Sequence, residues 1–142
     1  MREQEFNNSC KFIGADPIWM GFPDEYLENT LENRMVFVDM IRQVDPDLVI
    51  TNVPNDYHPD HRYTHELVWE TLMLADVNHV KTSHPATGRQ VMLYFMDNIG
   101  GVDFLLAELV DITEVIEMTI GKFREYQAGC KYAEGFRKVE AW

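Results

Sequence analysis

What this sequence has little of narrows its chemistry before any motif is read. Basic residues are scarce: 12 Lys and Arg stand against 24 Asp and Glu, a net charge of -12. Such a surface, without a basic cluster, argues against nucleic acid or an anionic membrane as a partner, since both are bound through gathered cations. Cysteine is scarcer still. Cys10 and Cys130 make no C-x-x-C spacing, which speaks against a zinc knuckle and reads as two separate reduced thiols in a cytoplasmic protein. No apolar run approaches the roughly 20 residues needed to span a bilayer. The opening residues Met1 to Phe6 are polar and helical in character, so neither signal peptide nor anchor is expected. Internal repeats and low-complexity linkers are absent too.

What is there is enough apolar content, 46% of 142 residues, for one domain with a real core. The pattern turns helical at Asn29, where Asn29 and Glu32 are spaced for a capping box and Leu31, Met35, Val38 and Ile41 share a face. Asp45-Pro46 stops that helix. Asp47 to Asn52 reads as a short buried strand, and Pro59 suits the first position of a second helix running to about Val77. Val91 to Met96 is a further buried strand, Gly100-Gly101 a turn, and Leu109 to Ile112 a shorter extended piece. Thr113 is placed to cap a helix reaching about Gln127. Ile18 to Phe22 has the character of another strand, while Tyr132 to Phe136 is too mixed to classify by pattern. Alternation of this kind predicts an α/β sheet.

Chemistry concentrates at Asn55-Asp56-Tyr57-His58-Pro59-Asp60-His61, between the strand and its following helix. In open α/β sheets ligands collect beyond the carboxyl ends of the strands, which is where this turn falls. Neutral imidazole is a common metal ligand, and Asp56 or Asp60 is placed to fix its tautomer. A catalytic zinc needs three protein ligands, however, and three packed into four consecutive residues would strain a tetrahedron. His65 shares a helix face with His61 but lacks the interposed Glu of H-E-x-x-H. Read from residues alone, the turn remains open between a reaction site and an Asp/Pro-rich helix cap. Trp19, Trp69 and Trp142 read as core rather than as sugar platforms. Lys81 to Gly88 has the length of a mobile rim, with no spacing of its own that demands a role.

Pro54, Asp56 and His58-Pro59-Asp60-His61, after a Pro-Asp-Leu-Val-Ile-Thr strand, resemble the second signature of the LmbE/PIG-L de-N-acetylase family. Other landmarks stand in family order: Arg2-x-x-Glu5 before Gly14, Met20 to Asp24, Ile41-Arg42, Val110 to Thr113 and Tyr132 to Phe136. The resemblance covers nearly the whole chain. It implies a Rossmann-like, mostly parallel sheet with flanking helices, and a zinc-dependent hydrolase that removes an N-acetyl group from an N-acetylglucosamine-type substrate. It also implies His61 as the metal ligand of the motif and His58 as the imidazolium that stabilises the oxyanion and protonates the leaving amine. Asp60 is then expected to hold an imidazole in orientation.

The family's first signature, a His-Pro-Asp-Asp-like turn that supplies two further zinc ligands and the base, is not found. Gly14-Ala15-Asp16-Pro17 echoes it without a His. Residues 1–142 are therefore expected to be a single LmbE/PIG-L-like domain, N-terminally truncated, missing the first strand and helix. A sheet opened in that way leaves backbone groups that invite pairing, so a homo-oligomer or a complementing chain is expected beside the amino-sugar substrate. The alternative is a non-catalytic α/β module, a degenerate member that binds a sugar or a protein partner or self-associates.

Overall fold

A computed structural model describes residues 2–98, 104–113, 130 and 133–139. The elements run α1 (Arg2–Ile13), α2 (Leu31–Val44), β1 (Leu48–Thr51), α3 (Pro59–Ala75), β2 (Met92–Met96), β3 (Glu108–Asp111) and β4 (Ala133–Val139). The four strands lie in the order β1-β2-β4-β3. β1 pairs parallel with β2, and β4 pairs antiparallel with both β2 and β3. β1, β2 and β3 thus share one direction and β4 alone opposes them, within an α/β fold of Rossmann-like kind.

α2 begins at Thr30, whose Oγ1 accepts the Asn33 N–H at 3.2 Å, one residue later than the Asn29 cap expected from the sequence. Asn29 is drawn away by tertiary contacts: its amide donates to Glu66 and Glu70 of α3 and its Oδ1 accepts from Arg34. Asp45 ends the helix in the left-handed region, φ +47, its N–H bonded to the Ile41 carbonyl at 2.8 Å. α2 and α3 pack together and onto one face of the sheet. Phe37, Leu67, Val68, Leu93 and Phe95 form the main core, and Val38, Ile41 and Ala75 a second cluster beside it. The alternation of β2 follows: Leu93 and Phe95 are buried on the helix side, Met92 and Met96 exposed on the other.

Residues 18–22 are not a strand, which corrects the sequence-based expectation. Gly21 sits at φ +74, a conformation no extended strand holds, and Pro17 and Pro23, which lack an N–H of their own, bound the segment on either side. Within the mixed segment, residues 133–136 lie in β4, where pairing with β2 and β3 decides the conformation that composition left open. The expected turn at Gly100-Gly101 and helix from Thr113 to Gln127 lie outside the described residues, apart from Thr113 itself. Cys10 is a free, buried cysteine, and Cys130 hydrogen-bonds with the Asp111 carboxylate. Among the described residues no helix is long and apolar enough to cross a membrane.

The loop after α3 is pinned at several points, in contrast to the mobile rim expected from its length. Arg42 of α2 donates to the carbonyls of Ala75, Val77 and Val80 and to Thr82 Oγ1, each at 2.9 to 3.0 Å. Asp39 accepts from the His84 backbone at 2.9 Å and lies 3.1 Å from its ring. This loop stands at the far end of α3 from the His-Pro-Asp-His turn.

Candidate active site

β1 delivers the chain into the loop 52–58, and Pro59, with its preset φ and absent N–H, opens α3 directly behind it. Asp56 is the centre of this loop. Only 8% exposed, it accepts the His58 N–H at 2.9 Å through Oδ1 and meets His61 Nδ1 at 3.0 Å through Oδ2. Arg62 fastens the loop from outside by donating to the carbonyls of Asp56 and Tyr57. With the Nδ1 proton of His61 held by Asp56, the lone pair of Nε2 is left for a ligand.

His58 caps α3 with its ring, Nδ1 accepting the Asp60 N–H at 3.2 Å. That bond puts the ring proton on Nε2. The two imidazoles stack with centroids 4.6 Å apart, and the exposed Tyr57 meets both edge-on. Asp60 lies differently from the sequence-based expectation: its carboxylate accepts the backbone N–H groups of Glu25 and Leu27, at 2.7 and 3.3 Å, and the carboxylate that orients an imidazole is that of Asp56. His65 stands apart, with Nδ1 3.0 Å from the Asn52 carbonyl and its ring in a three-ring cluster with Trp69 and Phe95.

A cavity of about 380 Å³ adjoins the turn, lined by Arg2, Trp19, Phe22, Pro23, Asp24, Leu27, Asp60 and Thr64. Arg2 and Asp24 form an ion pair there at 3.1 Å. Trp19 is 44% exposed beside them, its ring against Phe6, so it is not the core residue that its size suggests. Trp69 does pack partly buried on the core, and Trp142 lies outside the described residues. Arg62 was not singled out from the sequence, and Arg2 and Asp24 stood only among the family landmarks, without a pairing. Both the Arg62 bonds and the Arg2–Asp24 pair depend on contacts between distant or irregular segments, for which a sequence carries no periodic signal.

Ligand atoms of Asp24, His58 and Asp60 lie within 4.8 Å of one another, a possible seat for a metal ion. Each is otherwise engaged: Asp24 with Arg2, His58 Nδ1 with the Asp60 amide, and both oxygens of Asp60 with backbone amides. His61, whose Nδ1 faces Asp56 Oδ2, does not belong to that group. A tetrahedral catalytic zinc takes three protein ligands and an open position. Among the described residues, the one group of three ligating side chains is Asp24, His58 and Asp60, without His61.

The solved structures with this fold include the conserved protein TT1542 from Thermus thermophilus, at TM-score 0.79 and 23% identity over 99% of this chain and 75% of that one. N,N'-diacetylchitobiose deacetylase from Pyrococcus horikoshii, solved with its inhibitor MPG, matches at 0.81 and 21% identity over 97% of this chain and 62% of its own. GalB, the 4-carboxy-2-hydroxymuconate hydratase of Pseudomonas putida KT2440, matches at 0.77 and 17% identity over 99% of this chain and 72% of its own. The chain thus spans between 62% and 75% of these relatives. A fold shared by a deacetylase and a hydratase does not by itself name a reaction. No curated protein sequence matches. A family model described as PIG-L, GlcNAc-PI de-N-acetylase, matches residues 1–72, half of the 142 and inclusive of the His-Pro-Asp-His turn. The chain belongs to the PIG-L family of de-N-acetylases.

Proposed function

We propose that this chain carries the imidazole half of a zinc-dependent de-N-acetylase site acting on an N-acetylglucosamine-type substrate. The observation that supports this most is the Asp56–His61 pair beside His58 in the loop after β1, with a cavity reached from the same turn through Asp60 and Thr64. His61, its Nδ1 proton on Asp56, offers Nε2 as one metal ligand. Zinc, when bound, would lower the pKa of a water and polarise the acetyl carbonyl. The remaining protein ligands would come from a complementing chain that carries the His-Pro-Asp-Asp turn this sequence lacks.

His58 works at the acetyl oxygen and the amine. Its Nε2–H donates to the oxygen as negative charge develops there. Protonating the leaving amine takes a second ring proton, which Nδ1 can hold only by releasing the Asp60 N–H. The cavity wall suits a sugar: Arg2 supplies donors, Asp24 acceptors and Trp19 an apolar surface.

Zinc content and acetate release from N-acetylglucosamine test the reading, on the purified chain alone and with a chain bearing a His-Pro-Asp-Asp turn. His61→Ala should remove metal and turnover together. His58→Ala should keep the metal and lower turnover by about 10²- to 10⁴-fold. No metal and no acetate in either setting rejects the proposal.

The incomplete ligand set favours a second reading, a non-catalytic module that holds a sugar or a protein in the same crevice. Under it, His58→Ala and His61→Ala leave ligand affinity unchanged.

A further inference from the structure

Asp60 sits in the first turn of α3, yet its side chain reaches a segment 33 to 35 residues earlier in the sequence. Oδ2 accepts the Glu25 N–H at 2.7 Å and Oδ1 the Leu27 N–H at 3.3 Å. Glu25 is held at φ +67, a left-handed conformation that residues with a Cβ avoid unless their surroundings impose it. The backbone of Asp60 meanwhile donates its N–H to His58 Nδ1. One residue therefore grips the 23–27 segment with its carboxylate and the imidazole with its amide. Pro23, Asp24, Leu27 and Asp60 all line the cavity of about 380 Å³.

We propose that Asp60 is a positioning residue that locks the 23–27 wall of this cavity onto the catalytic turn, and so sets the distance between the bound substrate and His58. Its catalytic meaning rests on the deacetylase reading, but the latch itself does not. Two charge-assisted bonds to backbone amides make a stiff connection across an otherwise irregular loop. An Asn at this position keeps one acceptor oxygen, and an Ala keeps none.

Amide hydrogen exchange followed by NMR in Asp60→Asn and Asp60→Ala tests the latch. Exchange at Glu25 and Leu27 should quicken about 10- to 100-fold in Asp60→Ala and by less in Asp60→Asn. Amides inside α2 should keep their rates, which separates a released loop from a loosened fold. Affinity for N-acetylglucosamine, titrated in the same samples, should fall in the same order with His58 and His61 intact. Unchanged exchange at Glu25 and Leu27 in Asp60→Ala overturns the proposal, as does sugar affinity that survives the release of the loop. Should the unaltered chain bind no sugar either alone or with a chain bearing a His-Pro-Asp-Asp turn, the deacetylase reading fails while the exchange pattern still decides the latch.

Discussion

Asp56 and His61 are joined side chain to side chain, Oδ2 to Nδ1 at 3.0 Å, with the carboxylate 4% and the imidazole 37% exposed. A buried acceptor beneath a half-open ring fixes which nitrogen faces outward. Because the other oxygen of Asp56 holds the His58 N–H, the same carboxylate sets the backbone of one imidazole and the ring of the other.

Replacing Asp56 with Ala should free both. We expect a stability loss of about 1 to 3 kcal/mol, the cost of stranding buried hydrogen-bonding groups, measured by urea unfolding. The ¹⁵N shifts of the His61 ring should change from a single tautomer to a mixture. Retention of one tautomer in Asp56→Ala would contradict this account.

Thr30 and Asn29 give a subtler test. Thr30→Ala should cost about 1 kcal/mol through loss of the α2 cap. Asn29→Ala acts through a different route, loosening the links from α2 to Glu66 and Glu70 of α3. Its loss should therefore shrink when Glu70 is also replaced, whereas the Thr30 loss should not. Double-mutant cycles on thermal unfolding decide between them.

That pair also shows how far the sequence could be read. The spacing of apolar residues located α2, β1, α3 and β2 within a residue or two, since burial of one face imposes a period on the chain. The choice of Thr30 over Asn29 was not legible, because both are good caps and only contacts with α3 occupy one of them. β4 was illegible for a similar reason: Ala133 to Val139 carries little strand pattern of its own and is held between β2 and β3. At the site, proximity along the chain made His58, Asp60 and His61 visible as a group. What the Asp60 side chain touches depended on a loop more than thirty residues away, so its role was not readable.

Arg42 should prove intolerant of replacement. Its buried guanidinium satisfies the carbonyls of Ala75, Val77 and Val80, the end of α3 and the loop beyond it. Arg42→Ala should cost about 3 kcal/mol or more, since several acceptors lose a charged donor at once. Arg42→Lys should recover little of it, for an ammonium cannot copy a planar fork of five donors. Urea unfolding checks both variants, and full recovery by Lys would show that charge alone suffices.

His65 should make the fold sensitive to mild acid. Burial holds its imidazole below the usual histidine range, more strongly than the Asn52 carbonyl and Glu66 draw it upward. The folded protein therefore binds a proton at this ring less readily than the unfolded chain does. With a depressed folded value, the contribution to stability is complete above the unfolded value of about 6.5 and is lost as the pH falls through the folded one. Urea midpoints should accordingly drop between pH 7.5 and pH 5. His65→Gln keeps a donor for the Asn52 carbonyl but cannot titrate, so its midpoint should change less over the same interval. Parallel pH profiles for the two proteins would instead place the acid sensitivity elsewhere in the molecule.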